Sequence, residues 1–91
     1  MSNSTITSEI LNEILDKLDK SMNQRMFEYK KKINDWEGME KTLEGEHGMR
    51  LESLLAEKGS MFIHLDQEQL SIVNTRKKEL FINLKNTYEE V

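Results

Sequence analysis

The chain has 91 residues and contains neither cysteine nor proline. Without cysteine there is no disulfide framework and no thiolate metal site. Without proline, glycine is left as the main punctuation, and there are only four of them. Long apolar runs are missing as well. No stretch approaches the roughly 18 apolar residues that a membrane-spanning helix needs. Nor is there an excess of basic charge: 13 Lys and Arg stand against 17 Asp and Glu, a net −4. That excludes a nucleic-acid binder working through bulk charge, which needs excess cations to displace counterions. Met1-Ser2-Asn3-Ser4-Thr5 shows neither a basic nor an apolar signal-peptide region, and Ser2 excludes N-myristoylation. The expectation is a cytoplasmic, intracellular protein, with a signal-less specialised secretion route left open.

What is present is helical periodicity. Leu11, Leu15, Leu18, Met22, Met26, Tyr29, Ile33, Trp36, Met39 and Leu43 recur every three or four residues, where a strand would alternate. The stripe is narrow, broadened only by Ile10 and Ile14 at its start. Narrow stripes belong to coiled-coil seams more than to globular helices. The added step of four at Met22–Met26 resembles a stutter. Residues 1–6 read as a flexible terminus and 7–91 as one helical domain. Its first helix covers about 7–44, with Glu9 suited to the dipole of the first turn.

Gly45 and Gly48 lie at the middle of the chain. Together they cost a helix roughly 2 kcal/mol relative to alanine, and glycine readily ends helices. A turn is therefore expected at about 45–48, then a helix over about 49–90. That second helix carries a broader stripe of Leu51, Leu54, Leu55, Met61, Phe62, Leu65, Leu70, Ile72, Val73, Leu80, Phe81, Leu84, Tyr88 and Val91. Gly59-Ser60 predicts a kink within it. The fold class is all-α, an antiparallel helical hairpin with a coiled-coil-like seam. The alternative is one long coiled-coil rod. Charge placement favours antiparallel contact, because a reversal at 45–48 sets Glu9, Glu13, Asp16 and Asp19 level with Arg76, Lys77, Lys78 and Lys85.

Candidates for chemistry are few. There is no phosphate-binding glycine loop and no nucleophile elbow. His64 and Glu68 have the spacing of two metal ligands on one helix face, and Glu44, Glu46 and His47 cluster near the expected turn. With 17 carboxylates in the chain such neighbours arise by chance. A two-helix seam also has no pocket in which to split the pKa values of paired carboxylates. No enzyme, cofactor or metal is expected. The aromatic residues Phe27, Tyr29, Trp36, Phe62, Phe81 and Tyr88 fit core packing better than a nucleic-acid stacking platform. Lys30-Lys31-Lys32 and Arg76-Lys77-Lys78 read as solvated helix faces.

Trp36-Glu37-Gly38 resembles the Trp-x-Gly signature of the small helical-hairpin proteins exported by type VII secretion systems. In that family the motif lies between the helices of a chain of about this length. The spacing of Glu57, Leu70, Lys77, Leu80 and Leu84 is similar to that in flagellar export chaperones, which are also helical. These resemblances imply a secretion-associated protein, either an exported hairpin or a chaperone for an export substrate.

Read from the residues alone, a lone hairpin buries too little apolar surface to offset about 1.5 kcal/mol of conformational entropy per ordered residue. Its stripe must be covered by another copy or another protein. The expected function is a non-enzymatic interaction module, a structural or adaptor subunit that self-associates or packs on a partner's helices. Leu15, Leu18, Met22, Met26, Tyr29, Ile33, Trp36, Met39, Leu65, Val73, Leu80 and Leu84 are the expected interaction seam. The expected partner is protein, as a homo-oligomer or a helical hetero-complex, with no nucleic acid and no membrane span.

Overall fold

Thr7 starts the first helix. Its hydroxyl accepts a hydrogen bond from the Ile10 amide at 3.1 Å, satisfying one of the donors left open at a helix start. Ile6 before this cap and Leu11 after it are both buried, the apolar pair that sets a helix entry angle. In this computed structural model, which describes residues 6–90, helix α1 runs Ser8–Lys30. The expectation of a flexible 1–6 falls on residues 1–5, outside those described, and on Ile6. Gln69 donates from Nε2 to the Ile6 carbonyl at 2.5 Å, so this residue is tied down. The basic run 30–32 sits at the end of α1, where cations meet the negative pole of the helix dipole.

The chain turns at 31–35, not at 45–48. Asp35 caps helix α2, Trp36–Glu57, its carboxylate accepting from the Gly38 amide at 3.3 Å. The helix then runs straight through Gly45 and Gly48. Met39, Leu43, His47, Leu51 and Leu55 recur every four residues along it, and every one is buried. Burying an aliphatic side chain contributes about 1.5–3 kcal/mol, so four of them outweigh the propensity cost of two glycines. Neither glycine is needed for room, since a Cβ on either would meet nothing within 4 Å.

The expected kink at 59–60 is a full stop. Gly59 has φ 74°, the left-handed region that glycine enters without a Cβ penalty. Its amide donates to the Ala56 carbonyl and the Ser60 amide to that of Leu55, both at 2.9 Å, the paired bonds of a Schellman cap. A single 3-10 turn, Phe62–His64, follows. The Phe62 amide donates to the Glu52 carboxylate at 3.2 Å, and Leu65 turns inward. Asp66 and Gln69 then form a reciprocal capping box: the Gln69 amide donates to Asp66 Oδ1 at 2.8 Å and the Asp66 amide to Gln69 Oε1 at 3.1 Å. Helix α3 runs Gln67–Glu90.

Three helices therefore replace the two expected, and no strand occurs among the described residues. Trp36 packs on Tyr88 and Glu44 meets Lys77, so α2 and α3 are antiparallel. Ile6 binds Gln69, and the Lys30 ammonium donates to the Tyr88 carbonyl, so α1 and α3 are parallel. The longest dimension is 48 Å. An unbroken helix over 7–90 would reach about 125 Å and a two-helix hairpin about 60 Å, so the shape is neither rod nor simple hairpin. Leu11, Leu15, Leu18, Met22 and Met26 of α1 are essentially solvent-free, because α1 packs along both neighbours. Contact between α2 and α3 is slighter.

Replacing Gly45 or Gly48 with alanine should stabilise the chain by about 1 kcal/mol each, read as an upward shift of the urea midpoint. Gly59→Ala should destabilise it by about 1 kcal/mol, since alanine resists positive φ. A turn at 45–48 would reverse the first result.

Candidate functional site

The expected interaction seam lies on the inside of one chain. Leu15, Leu18, Met22, Met26, Met39, Leu65, Val73, Leu80 and Leu84 are buried in its core, and Tyr29, Ile33 and Trp36 pack against that core while partly exposed. The third helix supplies the cover that a two-helix hairpin lacks. Of the expected seam, Trp36 borders an open groove and Val73 a hollow that adjoins it.

That groove lies between α2 and α3. It encloses about 610 Å³ and is bordered by Trp36, Glu40 and Glu44 on α2 and by Asn74, Lys77, Lys78, Phe81, Ile82 and Lys85 on α3. Phe81 forms its floor edge-on to the His47 ring, with centroids 6.1 Å apart. Trp36 closes one end on Tyr88 at 5.5 Å. Lys77 crosses the groove to Glu44 at 2.7 Å, its ammonium 5.9 Å from the Phe81 ring centroid. Beyond His47 the groove continues into a hollow of about 310 Å³ against Leu51, Phe62 and Val73. Ile82 stands on the α3 wall 62% exposed.

Ile82 is absent from the apolar stripe read along the chain. Leu80, Phe81 and Ile82 together span roughly 200° of helix circumference, too wide for one buried face. One of the three has to point away from the core, which is the signal that identifies it.

The charges sort onto separate surfaces. Arg76 binds Asp16 at 2.8 Å and Asp19 at 3.0 Å, so the attraction expected between these segments forms, although the helices run parallel. On the opposite side of α2, Glu46 accepts from Arg50 Nε at 2.8 Å and from the Tyr29 hydroxyl at 2.9 Å. The Arg50 hydrogen bond, with Tyr29 and Arg25, holds the Glu46 carboxyl below its ordinary range against the opposing effect of burial. Arg25 donates to Tyr29 and to Glu28 within α1 and pairs with Glu46 at 3.4 Å, so that ion pair and the Tyr29 hydrogen bond tie α1 to α2.

The metal-ligand candidates separate. Glu44 turns to Lys77, Glu46 to Arg50 and His47 to the core. His64 ends the 3-10 turn and Glu68 lies in the first turn of α3, so they share no helix face. Among the described residues no three His, Asp or Glu side chains gather as a metal site. No described helix is long and apolar enough to cross a membrane.

His47 is the one buried imidazole, 4% exposed. Burial holds its pKa below the ordinary value, Lys77 adds to this, and Asp19 and Glu44 oppose it. Unfolded, the ring takes up a proton near pH 6.5, whereas the folded chain resists it. The unfolded state thus binds more protons below that pH. The stability that neutral His47 contributes is complete above about pH 6.5 and is lost as pH falls through its lower folded value. The urea midpoint should drop between about pH 7 and pH 5, above the range in which carboxylates titrate, and His47→Gln should remove that slope.

No family model, no curated protein and no solved structure matches this chain. Its Trp36-Glu37-Gly38 motif opens α2 directly after the α1–α2 turn, and a Cβ on Gly38 would lie 3.0 Å from the capping Asp35 carboxylate.

Proposed function

We propose that this chain is a non-enzymatic helical interaction module whose docking surface is the α2/α3 groove. The observation that carries this is the groove itself. It has an aromatic floor at Phe81, an exposed isoleucine on its rim, and acidic and basic residues on opposite walls. Such a cleft fits helix-in-groove recognition, in which an amphipathic helix lays its apolar side between two helices. The bound helix would complete a fourth edge of the bundle through a coiled-coil-like contact, consistent with a structural or adaptor role. The chain's own stripe is spent on its core, so partner binding falls to Trp36, Phe81 and Ile82 rather than to Leu15–Met26. A photo-crosslinking residue placed at position 82 in the native source should give protein adducts, whereas one at exposed Lys20 on α1 should not. Equal labelling from both positions would overturn the reading.

A second reading, a small secretion-associated helical protein, is favoured by the place of the Trp-x-Gly motif at an interhelical turn. Trp36 is only partly buried against Tyr88. Trp36→Ala should therefore cost about 1–3 kcal/mol and leave the chain folded. Loss of export from the native host by this folded variant would support the second reading, and undiminished export would remove it.

A further inference from the structure

The two walls of the groove carry opposite charge in a register that is complementary to itself. On α2 stand Glu40 and Glu44; on α3 stand Lys77, Lys78 and Lys85. Glu44 and Lys77 satisfy one another at 2.7 Å. Among the described residues Glu40, Lys78 and Lys85 have no ion-pair partner. Trp36 lies level with Tyr88, and Glu44 with Lys77. Glu40, midway along that stretch of α2, is therefore level with Ile82 and Asn83, a rise of about 3–5 Å from Lys85.

We propose that the groove is a two-fold interface, and that its occupant is the same face of a second copy of this chain. This rests on the reading of the groove as the docking surface and names its partner. A two-fold axis along the groove preserves height and lays each copy's α2 over the other's α3. Glu40 of one copy then faces Lys85 of the other, and Glu44 faces Lys78, each contact occurring twice. Ile82 stands at the same height in both copies and closes toward its equivalent over the Phe81 floor. A two-fold axis across the groove sets α2 on α2 and α3 on α3, carboxylate against carboxylate and ammonium against ammonium, which repels. Charge therefore selects one arrangement. From Trp36 to Glu52 the groove and its hollow are about 24 Å long and two helices wide, about 20 Å, so the face presents about 480 Å² per copy. That is below the roughly 800 Å² per partner of a standard interface and in the range of weak, transient contacts, so a weak dimer is expected.

The test is a charge swap between copies. Glu40→Lys and Lys85→Glu each turn both copies of one attractive pair into a repulsive one, and each variant alone should dimerise about tenfold more weakly in sedimentation equilibrium. Mixed in equal amounts, the two variants form a heterodimer in which every such pair is again attractive. The mixture should recover wild-type affinity. Both positions are exposed, and unchanged circular dichroism checks that the variants fold. A wild-type chain that stays monomeric to about 100 μM overturns the proposal, as does a dimer indifferent to the swaps or a mixture without recovery. Crosslinks from position 82 to a different protein, alongside a monomeric chain, would overturn the self-partner while leaving the groove as the docking surface. Absence of crosslinks from position 82 would remove both.

Discussion

Burial of the apolar stripe of α1 is the constraint on which the rest of the molecule depends. Leu11, Leu15, Leu18, Met22 and Met26 reach 0–1% exposure, which a single neighbouring helix does not provide. A stripe of one or two residues per turn is half covered by one partner. In this chain α2 covers one flank and α3 the other. Both flanking helices direct their buried ridges at α1, and their contact with each other is correspondingly slight. The groove between them follows from the same geometry: a cleft is left where two outer helices diverge over a central one.

Where the chain turns is decided by helix ends rather than by helix propensity. Asp35, Gly59 and the Asp66–Gln69 box each satisfy backbone groups that a helix terminus leaves unpaired. Gly45 and Gly48 carry a propensity cost but offer no alternative partner for the backbone, and they lie on the solvent side of a ridge already committed to the core. Without a cap, a weak helical stretch stays helical when its buried face is continuous. His47 completes that ridge. A histidine beside two glycines suggests an exposed turn, yet the four-residue rhythm from Met39 to Leu55 passes through it.

Charge pairing added specificity of a limited kind. Arg76 finds Asp16 and Asp19, and Lys77 finds Glu44, so attraction between segments was readable before their geometry. Direction was not. A cation on α3 reaches the same carboxylates from a parallel or an antiparallel helix, because exposed pairs act over one side chain's length and contribute little each. Two connections between three helices, in place of one between two, reversed the sense of α3 relative to α1.

Periodicity alone established that the chain is helical and which side chains are core. Leu11, Leu15, Leu18, Met22, Met26 and Met39, with Val73, Leu80 and Leu84, are buried at that spacing, while Tyr29, Ile33 and Trp36, in and beside the α1–α2 turn, are partly exposed. Periodicity reports only that a face is apolar, and that information is local. Whether the face meets another copy, another protein or a later segment of the same chain depends on where the chain reverses. The reversals at 31–35 and 58–66 were written in short polar signals, Asp35 three residues before Gly38 and Asp66 three before Gln69, which compete with a strong apolar rhythm. The groove was less legible still. Lys78, Ile82 and Lys85 share a helical spacing that does not say what they face, and Glu40 lies far from them along the chain. Only the packing of α2 and α3 on opposite flanks of α1 brings them to one surface, because helix-on-helix burial acts through space and not along the sequence.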